Sequence, residues 1–319
     1  MKMMKNAIVA QSGGPTTAIN ASLAGVIKGC LESHEIDVLY GALNGVEGLM
    51  DERLVNLTDI FDHNEENLNV LKLTPAMYLG SCRRKLKDVD QDSSEYDIII
   101  NIFRKYHIHY FFYIGGNDSM DTVGKMSRYV KEHQMDVKVI GIPKTIDNDL
   151  VVTDHTPGFG SAARYVAASV LEMAHDTYIY NTKSVLIAEI MGRDAGWLTA
   201  ASVLARNSYS RAPHLIYLPE HPFSKEQFIE DIKAQFKQRE HIVIAVSEGL
   251  RDVDGHYISA ETAAVDAFGH ATLSGTGKCL EGLVAEKFGC KVRSVEINVL
   301  QRCAAHMASA TDIEASWQL

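Results

Sequence analysis

The stretch GIPKTIDNDL, residues 141–150, places two carboxylates and an ammonium group within six positions of one another. One carboxylate, Asp147 or Asp149, could act as a general base towards a hydroxyl, and the other could lie near a metal ion. Lys144 could supply positive charge to a transferring phosphoryl group. If the loop is extended, the two aspartates point the same way. The alternative is a solvated Asx-turn, which Asn-Asp clusters commonly form.

Two glycine turns are the next candidates for a functional site. SGGP (residues 12–15) and GGND (residues 115–118) each follow an apolar run and precede a segment with helical patterning. Glycine lets the backbone approach an anion, and a helix N-terminus offers unpaired N–H groups and a positive dipole end. The alternative is an ordinary turn with a polar N-cap, Thr16 or Thr17 in the first and Asp118 in the second. Two such turns opening two helices favour a shared phosphate site.

Other charged groups follow in the sequence. A basic cluster in YLGSCRRKLKD is either a phosphate clamp or a solvated charged face, and it consists of Arg83, Arg84, Lys85 and Lys87. Met191, Gly192 and Arg193 in EIMGRDAGW suit a sugar-phosphate contact through backbone and guanidinium. Glu248 in VSEG is placed to accept hydrogen bonds from sugar hydroxyls, and Arg293 and Arg302 flank the last apolar run.

The elements that must position these groups are short apolar runs that alternate with amphipathic segments. Such runs suit parallel strands covered by helices, and the alternation predicts a doubly wound α/β fold. Ligands bind at the carboxyl ends of the strands in this class, which is where the motifs lie. The predicted strands are residues 6–11, 109–115, 137–142, 184–190, 214–219, 241–246 and 292–300. The predicted helices cover 16–33, 119–133, 160–176 and 224–240, the last with Ser224 and Gln227 in capping-box spacing.

The composition and charge of the chain argue against several kinds of binding partner. The chain of 319 residues has a net charge of −10, which argues against nucleic acid and anionic membrane as partners. Its five cysteines show no metal-ligand or disulfide spacing, and the thirteen histidines show none either. No window approaches 18 uninterrupted apolar residues, so we expect no membrane span and a cytoplasmic protein.

The motifs GSCR, GGNDS, PKTIDND, MGR, SEG and QR occur in an order that resembles the phosphofructokinases, most closely their pyrophosphate-dependent branch. The combination of TIDND with a downstream MGR is highly specific. The resemblance covers most of the chain. It implies two doubly wound, Rossmann-like domains with mainly parallel sheets and an active site in the cleft between them. Residues 1–157 with 301–319 would form the phosphoryl-donor domain, and 158–300 the sugar-phosphate domain.

The resemblance also assigns roles to residues. Asp147 matches the base that deprotonates the 1-hydroxyl of fructose 6-phosphate, with Lys144, Thr145 and Asp149 as its catalytic partners. The sugar-phosphate contacts, besides Thr145 and Asp147, would be Met191, Gly192, Arg193, Glu248, Arg302 and, from a neighbouring subunit, Arg293. The phosphoryl-donor site would comprise Gly14, Arg83, Asn117, Asp118, Ser119 and Lys144. Mg²⁺ would be the cofactor, with Asn117 and Asp118 as candidate ligands. An arginine acting across subunits implies a homo-oligomer, a dimer or a tetramer.

Donor choice depends on two positions. ATP-dependent relatives typically have glycine at the positions of Asp118 and Lys144. A carboxylate at position 118 would repel the α-phosphate of a nucleotide, whereas Lys144 would neutralise charge on compact pyrophosphate. The pair predicts pyrophosphate as donor and a reversible reaction.

The sequence departs from the family pattern in several places, and two alternative functions stay open. Asn117 stands where many relatives have an aspartate, Val299 stands where a histidine often contacts the sugar, and QRCA replaces QRGG. The family usually continues further past LQR than this sequence does. The first alternative is an ATP-dependent phosphofructokinase. The second is a non-catalytic regulatory or sugar-phosphate-binding member, against which Lys144, Asp147 and Asp149 speak.

Overall fold

The structure, a computed structural model, describes residues 5–259 and 275–319. Its helices and strands run in the following chain order: β1 (Asn6–Gln11), α1 (Ile19–Glu32), β2 (Leu39–Ala42), α2 (Gly45–Met50), β3 (Leu54–Asn56), α3 (Leu57–Phe61), α4 (Glu65–Leu73), α5 (Ser94–Lys105), β4 (Ile108–Gly115), α6 (Asn117–Glu132), β5 (Lys138–Pro143), α7 (Phe159–Tyr178), β6 (Ser184–Ile190), α8 (Trp197–Ala201), β7 (Leu215–Tyr217), α9 (Lys225–Phe236), β8 (His241–Ser247), α10 (Thr276–Phe288), β9 (Lys291–Glu296) and α11 (Ala310–Gln318). Short 3₁₀ turns lie at Ser202–Ala205, Asn298–Gln301 and Ala305–Met307.

The described residues form two compact units. Unit 1 takes the described part of Met1–Thr145 together with Thr156–Gly158 and Ala308–Leu319. Unit 2 takes Ile146–His155 and the described part of Phe159–Met307. Residues 146–155 and 301–307 therefore lie in unit 2, whereas the sequence predicted them in the first domain, and Gly158, predicted in the second domain, lies in unit 1.

Unit 1 is built on a five-stranded sheet of order β3-β2-β1-β4-β5, in which β3 alone of these strands is antiparallel to its neighbour. Alternate residues of β1 enter different cores: Ile8 packs on one face and Val9 on the other. Both faces are buried by helices, which is why β1 reads as a continuous apolar run.

Unit 2 is built on a four-stranded parallel sheet of order β7-β8-β6-β9. Its central strand β6 sends Leu186 and Ala188 into one core and Val185 and Ile187 into the other. The predicted α/β fold with mainly parallel sheets is confirmed.

Several predicted boundaries agree with the structure and others do not. β1 and β6 span the predicted residues, and Ser224 caps α9 by accepting a hydrogen bond from Gln227 N at 3.2 Å. The capping box is not reciprocal, because the Gln227 side chain donates to Asp231 instead. β2 and β3 were missed, since each is only three or four residues long. The last predicted strand, 292–300, is too long, because a 3₁₀ turn begins at Asn298 with φ of +45°.

None of the helices in the described ranges combines the length and the apolarity that a membrane crossing requires.

Candidate active site

In unit 1, the carboxyl ends of three adjacent strands bring distant motifs together. Since β1, β4 and β5 are neighbours, the turns that follow them meet at one edge of the sheet. Lys144 N donates to Gly115 O at 2.9 Å, and Ser12 N donates to Ile114 O at 2.9 Å. The two glycine turns SGGP and GGND and the residues PK therefore meet at one edge of the sheet in this unit.

Lys144 is almost completely buried, with 5% of its surface exposed. A Cβ added to Gly13 would lie 3.3 Å from Lys144 Nζ, and one added to Gly116 would lie 3.5 Å from it. One glycine of each turn thus leaves the space that the ammonium group occupies. An ammonium group held in a buried position attracts an anion more strongly than one in water does, so this position is suited to an anion.

The second turn opens α6 as predicted, and its two glycines serve different purposes. The N-cap of α6 is Gly116, which has no side chain to accept a hydrogen bond from the helix. The alternative in which Asp118 is the N-cap is therefore wrong. A Cβ on Gly115 would lie 2.1 Å from Ser119 Oγ, so this glycine makes room for a buried serine. Asn117 and Asp118 lie exposed in the first turn of α6, where the helix dipole favours anions.

The first turn does not open its helix directly, contrary to the prediction. α1 begins at Ile19 with Ala18 as its N-cap, and neither Thr16 nor Thr17 caps it. Gly13 has φ of +81°, a left-handed conformation that favours glycine. Its N–H donates to Cys82 O at 3.5 Å, and Ser81 Oγ donates to Gly13 O at 2.8 Å. Gly14 lies half-buried in the same turn.

The GSCR loop therefore holds the first turn, a role that sequence reasoning missed. Ser12 Oγ also donates to Cys82 O at 3.1 Å, so two hydrogen bonds from the turn reach one carbonyl. These bonds join residues about 70 positions apart, and no local pattern predicts them.

The basic cluster divides into two parts. Arg84 and Lys87 pair with Glu95 and Asp92 on the surface, as a solvated charged face would. Lys85 Nζ instead lies 2.8 Å from Asp118 Oδ1 at the start of α6. Arg83 is exposed.

Thr145 is fixed by a short segment from later in the chain. Its N–H donates to Pro157 O at 3.1 Å, and its carbonyl accepts a hydrogen bond from Thr156 Oγ1 at 2.8 Å. Thr145 also pairs with Gly158 as an isolated parallel bridge. Both backbone groups of Thr145 are thus held within unit 1.

In unit 2, Glu248 organises the residues that follow β6 and β8. Its carboxylate accepts hydrogen bonds from Gly192 N at 3.3 Å and Arg193 N at 3.2 Å. Gly192 and Arg193 have φ of +146° and +51°. A Cβ on Gly249 would lie 1.7 Å from Arg193 O, so SEG needs its glycine for this turn to approach.

The environment of Glu248 changes its protonation. Burial raises the pKa of Glu248 from 4.5 to about 7, although the two N–H donors oppose this shift. The charge of Asp147 raises it further, which shows that these two carboxylates are electrostatic neighbours within unit 2. A group that titrates near neutrality at a strand end is a candidate for substrate binding.

The TIDND loop is not extended at Asn148, so the condition under which the two aspartates would point the same way is not met. Asn148 has φ of +57° and separates a half-buried Asp147 from an exposed Asp149. The Asn148 side chain donates to Asp154 O at 3.1 Å, six residues away, which is not the local bond of an Asx-turn.

The remaining predicted sugar-phosphate residues lie in different places. Met191 directly follows β6, and Arg302 is half-buried after the 3₁₀ turn Asn298–Gln301. Arg293 lies on β9 opposite Leu186, with its guanidinium 3.4 Å from Asp176. Four residues of strand separate that position from Ile190, about 13 Å. The structure therefore does not bring Arg293 to Glu248 of the same chain.

Glu189 is a buried acid that sequence reasoning missed. Its carboxylate accepts hydrogen bonds from Gly275 N at 3.2 Å and Gly277 N at 2.7 Å, at the start of α10. Thr276 Oγ1 donates to Glu248 O at 3.0 Å, so this helix start also holds the backbone of Glu248. The available signal was an acidic residue inside the apolar run SVLIAEI.

The chain is similar to known proteins over most of its length. The phosphofructokinase family profile matches residues 6–304. The pyrophosphate–fructose 6-phosphate 1-phosphotransferase of Halomonas elongata is 40% identical over 98% of this chain and 74% of its own. The enzyme of that name from Xanthomonas campestris is 42% identical over 97% of this chain and 73% of its own. The crystal structure of pyrophosphate-dependent phosphofructokinase from Nitrosospira multiformis aligns with a TM-score of 0.84 and 36% identity, covering 98% of this chain and 73% of that one.

Proposed function

Since this chain belongs to the phosphofructokinase family, we propose that it transfers a phosphoryl group from pyrophosphate to the 1-hydroxyl of fructose 6-phosphate. The products are fructose 1,6-bisphosphate and phosphate, and the step belongs to glycolysis. The observation that carries the proposal is the buried Lys144 ammonium group between the two glycine turns. A fixed cation beside an uncapped helix start matches a small, highly charged donor.

Asp147 acts as the general base. It takes the proton of the 1-hydroxyl while that oxygen forms a bond to one phosphorus of pyrophosphate. The bridging oxygen of pyrophosphate leaves with the other phosphorus as inorganic phosphate. Lys144 stabilises the charge that moves during this transfer, and Thr145 and Asp149 complete the reacting loop. Because phosphate is both a modest leaving group and a usable nucleophile, the reaction runs in both directions.

Asp118 sets the choice of donor together with Lys144. Its carboxylate lies in the first turn of α6, where a nucleotide would place its α-phosphate, and like charges repel there. Pyrophosphate is short enough to use the N–H groups of α6 and the Lys144 ammonium group without meeting this carboxylate. Gly14, Arg83, Asn117 and Ser119 contribute to the same donor site.

Magnesium fits the oxygen donors at this helix start. Mg²⁺ usually keeps several waters and binds through one or two carboxylates and the phosphates of a substrate. The exposed side chains of Asn117 and Asp118 offer oxygens of this kind, and the ion would neutralise charge on pyrophosphate.

The sugar phosphate is bound by unit 2. Glu248 in its ionised form accepts a hydrogen bond from a sugar hydroxyl, and its bonds to Gly192 and Arg193 fix the turn that contacts the ligand. The Arg193 guanidinium pairs with the phosphate group, and Met191 and Arg302 complete the contacts.

A second copy of the chain completes the sugar-phosphate site. Arg293 is exposed on β9, about 13 Å along the strand from the edge that carries Glu248, and this position supports a contact with the sugar phosphate of a neighbouring molecule. We therefore include a homo-oligomer, a dimer or tetramer, in the proposal, together with a cytoplasmic location.

Paired assays of fructose 1,6-bisphosphate formation test the donor. We expect turnover with pyrophosphate and none with ATP; activity with ATP alone would establish the ATP-dependent alternative. Inactivity with both donors and retained binding of fructose 6-phosphate would establish the non-catalytic alternative. In the double variant Asp118→Gly, Lys144→Gly we expect ATP to become a donor, whereas continued exclusion of ATP would assign donor choice to other residues.

A further inference from the structure

Asp312 is a completely buried carboxylate in the first turn of α11, with 0% of its surface exposed. Its Oδ1 accepts a hydrogen bond from Gly158 N at 2.9 Å. We propose that Asp312 is a positioning residue for phosphoryl transfer, because it fixes the segment Thr156–Gly158 that holds Thr145. This inference rests on the proposed function of the Lys144–Asp149 loop.

The connection from Asp312 to the loop consists of hydrogen bonds inside unit 1. The segment Thr156–Gly158 occupies both backbone groups of Thr145, at 3.1 Å to Pro157 O and 2.8 Å from Thr156 Oγ1. Thr145 follows Lys144 directly and lies two residues before Asp147. A displacement of the segment would therefore move the first residues of the reacting loop.

The position of Gly158 depends on its hydrogen bond to Asp312 and on the close packing of its backbone. Its φ is +108°, and an added Cβ would lie 2.7 Å from Thr16, so the segment is pressed against the residues that precede α1. A buried N–H without an acceptor is destabilising, so removal of the Asp312 carboxylate would drive Gly158, and the segment with it, to a different position.

Asp312 is itself rigidly held. Ser316 Oγ donates to Asp312 O at 2.6 Å, and the Ser309 side chain caps α11 by accepting from Asp312 N at 3.4 Å. Ile313, the next residue, packs against Ala18 and Ala21 at the start of α1. The helix thus carries a fixed acceptor to a segment more than 150 residues away in sequence.

Steady-state kinetics with pyrophosphate test the role. In Asp312→Ala we expect kcat to fall about 10- to 100-fold, the range that small misplacements of reacting groups produce. KM for fructose 6-phosphate should change by a smaller factor than kcat, since Gly192, Arg193 and Glu248 lie in unit 2 and keep their positions. Asp312→Asn keeps a carbonyl oxygen as acceptor and should restore most of the lost kcat.

Two further variants separate positioning from simple loss of stability. Ile313→Ala removes a similarly buried side chain of α11 without touching Gly158, so it should lower Tm and leave kcat unchanged. Thr156→Val removes the Oγ1 donor to Thr145 and should lower kcat as Asp312→Ala does. This variant decides the question if Asp312→Ala does not fold.

Unchanged kcat in Asp312→Ala and Thr156→Val, no rescue by Asp312→Asn, or an equal loss in Ile313→Ala would overturn the inference. A wild-type chain inactive with pyrophosphate would overturn the proposed function instead. In that case the rate of amide hydrogen exchange in the peptide spanning 143–147 tests the positioning role of Asp312. Faster exchange in Asp312→Ala than in Ile313→Ala supports it, and equal exchange overturns it.

Discussion

The two units place opposite charges at equivalent points of their sheets. In unit 1, residues that follow β1, β4 and β5 surround the buried Lys144 ammonium group. In unit 2, residues that follow β6 and β8 surround the buried Glu248 carboxylate, which takes its hydrogen bonds from backbone N–H groups. Both arrangements use the carboxyl ends of parallel strands, where backbone groups are left for ligands.

The difference between the units matches the difference between the two proposed substrates. Pyrophosphate is a compact polyanion, and a fixed cation with an adjacent helix start complements it. A sugar offers hydroxyl groups, which a carboxylate accepts well even when N–H donors already hold it in place. The same fold therefore makes either kind of site, depending on which side chain is buried at the sheet edge. Substitutions in one unit should accordingly leave the ligand of the other unit unaffected.

The largest effect should come from the loss of the base. In Asp147→Ser we expect kcat to fall by roughly 10²- to 10⁴-fold, the range of general-base contributions. The dissociation constant for fructose 6-phosphate, measured by calorimetry, should change little, because Glu248, Gly192 and Arg193 remain. Asp154→Ser is the control, since Asp154 is exposed on the same loop and uses only its backbone oxygen to hold Asn148. Undiminished turnover in Asp147→Ser would place the base elsewhere.

The next largest effect should come from unit 1. In Lys144→Met we expect kcat/KM for pyrophosphate to fall about 100- to 1,000-fold, because one preorganised charge is lost from the transition state. KM for fructose 6-phosphate should stay the same. Lys28→Met is the matched control, since Lys28 lies on α1 in the same unit and pairs with Glu65 at 2.6 Å on the surface. An equal rise in the KM of both substrates would contradict the assignment of pyrophosphate to unit 1 and of fructose 6-phosphate to unit 2.

The smallest effect concerns stability and pH. Since burial raises the pKa of Glu248 from 4.5 to about 7, the native chain keeps a proton between these pH values that the unfolded chain has released. The contribution of Glu248 to the free energy of unfolding is therefore complete below about pH 4.5, and it is lost as the pH rises towards 7. Across this pH range the contribution of Glu248 to the free energy of unfolding changes by about 3 kcal/mol, since one pKa unit corresponds to about 1.36 kcal/mol.

Glu248→Gln should remove that part of the pH dependence. Between pH 5 and pH 7.5 we expect the free energy of unfolding of wild type to decline relative to the variant, as measured by denaturant titration. Glu286→Gln, an exposed glutamate on α10, is the control and should follow wild type. A parallel decline in wild type and Glu248→Gln would show that Glu248 is ionised throughout this range.

Much of the fold could be predicted from the sequence because its strands are buried on both faces. β1 and β6 are mostly apolar runs, and their limits were predicted correctly. The start of α1 was not, because SGGPTT and GGNDS look alike while only the second is followed directly by its helix. What holds the first turn in place is the carbonyl of Cys82, which is distant in sequence.

The sequence by itself determined the chemistry available to this protein: two aspartates and a lysine after one strand, glycine turns after two others, and MGR and SEG after two more. Residue type and local periodicity carry that information. Only the tertiary structure decided that Lys144 lies between Gly13 and Gly116, that Glu248 titrates near neutrality, and that Asp312 reaches Gly158. Those properties depend on burial and on contacts between residues far apart in the chain, which the order of strands in a sheet sets and no local pattern records.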